Sequence, residues 1–585
     1  MTLKKSLNLF FNQPKLIFFL ILIIALTLRL TGVDWDQGHH LHPDERFLNM
    51  LVADISLPTG LKEYLDPARS PLNPRNNHRD FYVYGNAPIT LSKIVSESLG
   101  KRDLHEICLI GRALSALADS AILLIIYKTA QLLEKNLKKK SHLINKDTKL
   151  WACLVYALLV LPIQQSHFFT TDTFLNLFTF TCFYFAIKFY FHQHLLDLIF
   201  SAVFFGVAFG SKISAVLFLP LILALIVLGF LKNYLNKKKR KNQVRQIKSA
   251  TGCLFTFFFV SYFFLRLTSP YLFTNANFLN PTLSPEFIQN LKELRSWEGN
   301  DVWFPPAIQW INRPVTFGIT NLAIFGMGLP AFIFSVWGGV AWGKKTLNFL
   351  KKTSYRIEGL MLASILLWVL GFLSYYAFQF AKTLRYFLPI LPIISIIAGL
   401  GLSRLSTRLK LNNYYKSFLI LGLATWPLMF LSIYIQPHSR IQASTWIYNN
   451  IPANSMILTE YWDDNLPLYL SKFEHHYQIQ QLPVFNPDDQ SKWQEMDPLL
   501  DQADYYILSS NRAWGSIPRV PKKYPIMSRF YQDLFDGKTG YQVVAKFSSH
   551  PSLEYLGIPI SFDDSWAEEA FTVFDHPEVM IFKHK

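Results

Sequence analysis

Residues 37–50, QGHHLHPDERFLNM, bring together three histidines (His39, His40, His42) and an adjacent acid pair, Asp44 and Glu45. An ionised carboxylate can take a proton from a hydroxyl, and a second acid beside it can position the reactants. Adjacent residues in regular structure cannot both aim at one point, so one acid is the candidate base, and Asp44 is preferred. A structural reading competes with this one. Pro suits the first helical position and acids favour the first turn, where unpaired N–H groups attract negative charge, so HPDE also reads as a helix start. The three histidines offer imidazole nitrogens to a divalent metal, although HHxH is not an established zinc spacing.

Several cations lie in or beside apolar runs: Arg112 in GRALSALADS, Lys212 in GSKISA, and Lys382 and Arg385 in AKTLRYFLPILP. An ionisable side chain at membrane depth is costly and points to function. Arginine presents a fork to a phosphate and lysine a point charge, so these four are candidates to hold the phosphate of a lipid carrier. Snorkelling to the interface is the ordinary alternative. Asp119 follows Arg112 by two helical turns and could pair with it. The tight loop SHFFTTD adds His167 and Asp172, and Asp172 could instead cap the next helix. Tyr84 lies in the aromatic stretch FYVYGNAPITL (81–91), which could form an interfacial helix with its flanks. YWDDNLP (461–467) and the acids of ISFDDSWAEEAF (560–571) either contact an acceptor or are solvated loops.

The elements that must position these groups are membrane helices. The chain has 585 residues, 51% hydrophobic and only 17% charged, where a soluble protein carries about a quarter charged. Apolar runs near the length of a bilayer crossing give eleven expected spans: 16–32, 107–131, 150–163, 173–192, 196–211, 213–231, 250–268, 316–342, 357–380, 386–403 and 417–436. The first run has no small-residue cleavage site and reads as a retained span. The four cysteines lie in or beside apolar segments, with neither metal nor disulfide spacing.

A net charge of +17 suggests nucleic acid, but the basic residues sit in short blocks between apolar runs, which excludes that reading. Five blocks (Lys4 to Lys15, 135–140, 232–248, 344–356 and 404–410) fall on one side of the expected topology. The positive-inside rule makes that side cytoplasmic, with the N-terminus inside and the C-terminus outside. The opposite side receives the acid-pair loop (33–106), the loops 164–172, 269–315 and 381–385, and the tail 437–585. In the tail, ASTWIYNNIP reads as a helix ending before Pro452 and 491–502 as another. Residues 455–460, 503–510, 541–547, FTVF and VMIF read as strands. The expected architecture is a polytopic α-helical membrane part, 1–436, and a small extracytoplasmic α/β domain, 437–585.

The ordered motifs HPDE, GRALSAL, SHFFTTDTFL, GSKISA and RYFLPILP resemble the GT-C glycosyltransferases, in particular the dolichyl-phosphate-mannose protein mannosyltransferase-like family and its bacterial relatives. The resemblance implies transfer of a hexosyl or pentosyl unit from a polyprenyl-phosphate-linked sugar, with inversion, to a glycan, lipid or protein acceptor outside the plasma membrane. It places Asp44 as the base with Glu45 beside it. It puts Arg112, Arg385, Lys382 and Lys212 at the donor phosphate. His42, His167, Asp172 and Tyr84 are the candidate sugar or acceptor contacts. It requires no cofactor. A divalent metal, if one is held, would fall to His39, His40 and His42. The competing readings are a transporter or flippase of lipid-linked sugars and a non-catalytic subunit of envelope-glycan assembly.

Overall fold

The computed structural model describes residues 13–137, 144–234, 243–299, 301 and 304–585. Lys4, Lys5 and the cores of two basic blocks, 138–140 and 235–242, lie outside the described residues. Among the described residues, seven helices are long and apolar enough to cross a bilayer, and nine if each of two bent pairs counts as one span. Two further apolar helices, Pro14–Leu30 and Leu195–Phe209, have 17 and 15 residues. Each of the eleven expected spans falls on one of these helices. The protein is a multi-pass helical membrane protein.

Both bends have a local cause. Thr148–Ala157 and Val160–Ser166 meet at 53°. Pro162 sits in the first turn of the second piece, where its ring excludes a helical hydrogen bond to the Leu158 carbonyl. Phe317–Gly326 and Leu329–Lys351 meet at 116°, with Gly328 at φ +78° and Pro330 two residues on. The span Leu384–Arg408 is 94% buried over its apolar window, which makes it the central helix of the bundle.

The tail forms a five-stranded sheet in the order β2-β1-β3-β5-β4. The strands are β1 (Met456–Glu460), β2 (Gln478–Leu482), β3 (Tyr505–Leu508), β4 (Tyr541–Phe547) and β5 (Val579–His584). β1 runs parallel to β2 and β3, and β5 antiparallel to β3 and β4. The inner strands read MILTE, YYIL and VMIF because both faces are covered, by one core around Met496, Tyr506 and Phe582 and another around Ile447, Ile457 and Ile581. β2, QIQQL, is an edge strand with four of its five residues exposed, and its polar sequence gave no strand signal. FTVF is not a strand. Glu569–Thr572 is a short helix, and Phe571 leaves the sheet to pack against Phe325 and Phe430 of the membrane part at 5.5 and 5.4 Å.

Residues 549–576 therefore form a strap that returns from the sheet to the bundle. Asp575 accepts from Tyr434 Oη at 2.8 Å and from Gln164 Nε2 at 3.0 Å, and buried His576 lies between Asp575 and Asp564.

Residues 85–87 of the first loop meet the bundle in a close backbone approach. Gly85 N–H donates to Ser211 O at 3.1 Å and Ala87 N–H to Gly210 O at 3.2 Å. A Cβ on Gly85 would lie 2.0 Å from the Gly210 carbonyl oxygen. Gly85→Ala should therefore lower the melting temperature in detergent, with a cost of about 1–3 kcal/mol typical of overpacking. Gly60→Ala, at a position with no neighbour within 4 Å, should leave it unchanged. Equal melting of both variants would show that the loop is not held by this contact.

Candidate active site

The acid pair opens the helix Pro43–Asp54. His42 is its N-cap, with Nδ1 accepting the Glu45 N–H at 3.2 Å, and Pro43 follows in the first turn. The helix-start reading of HPDE is thus correct, and it decides where each acid goes. Consecutive helical residues point about 100° apart, so Asp44 and Glu45 leave the same turn in different directions.

Glu45 faces inward and is fully buried. Its Oε1 accepts from Phe169 N–H at 2.7 Å and Arg112 Nε at 2.9 Å, and its Oε2 accepts from Arg112 Nη2 at 2.7 Å. Arg112 also donates to Asp36 Oδ1 and Oδ2 at 3.0 and 2.9 Å and to Val33 O at 2.9 Å. All five guanidinium N–H groups are thereby used, and the Trp35 ring covers the cation at 4.8 Å. Gly111 makes room for this arrangement, since a Cβ there would lie 2.3 Å from the Phe169 ring.

Arg112 is consequently buried away from the cavity described below, with no N–H left for a phosphate. The sequence also paired it with the wrong acid. Asp119 takes Arg29 Nε at 2.7 Å and Tyr156 Oη at 2.6 Å instead, and Asp36, which the sequence did not single out, completes the Arg112 cluster. Burial pushes the Asp36 carboxyl up, but Arg112 outweighs it and holds the value at about 2.

Asp44 faces outward, one-third exposed, into a cavity of about 500 Å³. It forms an ion pair with Arg385, which is itself about one-third exposed. Among the described residues this is the hydrogen bond that Arg385 side-chain nitrogens make, and its other N–H groups remain open to the cavity. Burial raises the Asp44 carboxyl, and Arg385 and His42 lower it to about 2. Lys212 reaches the same cavity, paired with Asp172 at 2.7 Å. His42 and Tyr84 also line it.

Besides Glu45 and Arg112, the expected site residues Lys382, His167 and Asp172 do not line it. Lys382 turns its Nζ to the Gln379 carbonyl at 2.6 Å. His167 is buried between the carbonyls of Ile163 and Thr31, each at 2.9 Å, and stacks on Tyr434 with ring centroids 3.6 Å apart. Asp172 stands behind Lys212. The histidine cluster does not converge either. His42 is used as a cap between Phe168 and Phe574, while His39 and His40 are half-buried outside the cavity lining. Burial lowers the pKa of all three. Among the described residues, no group of three or more His, Cys, Asp or Glu is arranged to hold a metal ion.

Much of the cavity wall comes from distant sequence: Trp310 from the loop 269–315, and Arg512, Glu568, Glu569 and Phe574 from the tail. A second cavity of about 340 Å³ shares Pro43, Trp462, Arg512 and Phe574 with the first. Its walls combine apolar residues with a network of charged pairs. Arg440 pairs with Asp463 at 2.5 Å and Asp464 at 2.7 Å, and Arg46 with Asp464 at 3.2 Å.

With this geometry in place, the chain can be compared with known proteins. Residues 110–263 match the family model of the dolichyl-phosphate-mannose-protein mannosyltransferases. The match covers about a quarter of the chain. It carries Arg112, Asp172 and Lys212, so the matched segment supplies the arginine of the buried cluster and one cation of the cavity. The chain is also similar to a crystal structure of the Archaeoglobus fulgidus oligosaccharyltransferase with Zn and sulfate, at 12% identity and TM-score 0.49, covering 97% of this chain and 88% of that one. The archaeal oligosaccharyltransferase AglB from Archaeoglobus fulgidus, in complex with an inhibitory peptide and a dolichol-phosphate, gives 12% identity, the same coverage and a TM-score of 0.48. ArnT from Cupriavidus metallidurans bound to undecaprenyl phosphate gives 12% identity and 0.37, over 81% of this chain and 93% of that one. No curated protein matches this chain.

The two acids predict opposite phenotypes. Glu45→Ala leaves the buried Arg112 short of one partner and should cost about 3–5 kcal/mol, whereas Asp44→Asn should melt close to wild type. Asp36 adds a pH signature. Its value is drawn from 3.8 to about 2, so its stabilisation is complete above pH about 4 and is lost as pH falls toward 2. Thermal melts across that interval should be flatter for Asp36→Asn than for wild type. Parallel pH curves would show that Asp36 carries no such stabilisation.

Proposed function

We propose that the protein transfers a sugar from a polyprenyl-phosphate-linked donor to an acceptor hydroxyl, with Asp44 as the base and Arg385 and Lys212 at the donor phosphate. The observation that carries this reading is the division of the acid pair: Glu45 is locked to Arg112, while Asp44 faces the cavity on an arginine with open N–H groups. The family match of residues 110–263 supports the membrane glycosyltransferase class. The ligands named in the AglB and ArnT structures, dolichol-phosphate and undecaprenyl phosphate, are of the donor chemistry proposed.

The chemistry is a single displacement. The acceptor oxygen bonds to the anomeric carbon, the carbon–oxygen bond to phosphate breaks with its electron pair going to the phosphate, and the acceptor proton passes to Asp44. One displacement inverts the anomeric centre. Charge grows on the leaving phosphate in the transition state, so Arg385 and Lys212 bind it more strongly there than in the ground state. The same shift draws Arg385 away from Asp44. The carboxylate, held near 2 while paired, becomes more basic as it receives the proton. Cationic side chains neutralise the phosphate in this reading, and no divalent metal is needed.

The acceptor approaches Asp44 from the second cavity, whose Tyr461, Trp462 and Arg–Asp pairs suit a polar, hydroxyl-bearing glycan, lipid headgroup or peptide. In this reading the chain divides into a membrane part, 1–436, and an outer domain, 437–585, whose side is set by the basic blocks. This puts the cavity on the outer side of the plasma membrane.

Transfer should be assayed with the purified protein in lipid, a panel of undecaprenyl-phosphate hexoses and pentoses, and native membrane extract as acceptor. Asp44→Asn should lower transfer by about 10²–10⁴-fold and still bind undecaprenyl phosphate. EDTA should leave the wild-type rate unchanged. Full activity in Asp44→Asn would remove the base from this account. Movement of labelled carrier lipid across the bilayer without sugar transfer would establish a transporter in its place.

A further inference from the structure

Glu568 belongs to the strap, 184 residues beyond the loop it touches. It is buried, and it lines the cavity that holds Asp44 and Arg385. Its Oε1 accepts from Thr383 Oγ1 at 2.8 Å and its Oε2 from Leu384 N–H at 2.8 Å. These are the two residues immediately before Arg385. The turn Leu384–Ile390 begins there, and its N-cap, Thr383, makes no capping hydrogen bond of its own to the backbone. An unpaired N–H at the start of a helical turn needs an acceptor, and the tail supplies it.

The acid is itself held firmly. Its own N–H donates to Asn321 Oδ1 at 2.9 Å. The next residue, Glu569, pairs with Arg512 at 2.8 Å. On either side Ala567 and Phe571 pack into the main core of the membrane part. Burial raises the Glu568 carboxyl to about 8 against the pull of its hydrogen bonds.

We propose that Glu568 is a positioning residue that fixes the backbone carrying Arg385, so that the docked tail sets the geometry of the donor-phosphate site. This rests on the reading of Arg385 as a phosphate ligand. The tail is then more than an acceptor platform. A donor site of full affinity exists only when the strap is seated on the bundle.

The test is the affinity for undecaprenyl phosphate, read by quenching of tryptophan fluorescence in detergent, since Trp310 and Trp462 line the cavity. Glu568→Ala should weaken binding by about tenfold or more, the scale on which small misplacements act. Glu568→Gln should stay near wild type, because its carbonyl can accept from Leu384 N–H while its amide donates to the Thr383 hydroxyl. In turnover, Glu568→Ala should raise the donor KM and leave the acceptor KM unchanged. If Glu568→Ala does not fold, Thr383→Val removes one of the two bonds and should weaken binding by a smaller factor. Wild-type affinity in Glu568→Ala, or in Thr383→Val where that variant carries the test, overturns the proposal. Arg385→Gln separates the two levels. If it loses affinity while Glu568→Ala keeps it, the positioning role alone fails. If both keep it, the phosphate reading fails as well.

Discussion

The buried Arg112 cluster is the constraint on which the site depends. One guanidinium joins the end of the first span through Val33 and Asp36, the acid-pair helix through Glu45, and, through Glu45, the Phe169 backbone of the tight loop before the helix Thr171–His192. A buried arginine is tolerated when every N–H is paired with good geometry, and removal of any partner leaves an uncompensated charge. That requirement fixes the rotation of the acid-pair helix. Once Glu45 is turned inward, Asp44 can only point to the cavity.

The second feature is the unequal use of cations. Arg112 is saturated inside the bundle by acids and a carbonyl, and Arg29 is held there by Asp119 and three carbonyls. Arg385 and Lys212 each hold one acid and keep the rest of their donors toward the cavity. Burial and partner number therefore separate cations that hold the fold from cations able to meet an incoming phosphate. This distinction links the base to the leaving group through one residue, since the arginine that restrains Asp44 is the one proposed to stabilise the phosphate.

The membrane architecture was legible in the sequence because apolar length and charged boundaries are local properties. All eleven expected spans lie on helices, and the strands at 456–460, 505–508, 541–547 and 579–584 stand where β-branched and aromatic runs put them. The site was legible only in part. Asp44, Lys212 and Arg385, singled out by type and position, line one cavity, but residue types alone could not say which acid faces in. Arg112 and Lys382 looked like phosphate ligands because the pairing of a buried cation is a long-range property. Asp36 lies 76 residues from Arg112, and Glu568 reaches Leu384 from the far end of the chain. The FTVF segment read as a strand from its alternation, whereas the bundle required Phe571 as a core side chain.

A structure with undecaprenyl phosphate bound would test the exchange of Arg385 most directly. The predicted result is a phosphate within hydrogen-bond distance of both Arg385 and Lys212, with the Arg385 guanidinium drawn away from Asp44 and the Arg112 cluster unmoved. A phosphate bound elsewhere, with Arg385 still paired to Asp44, would contradict the mechanism at its centre.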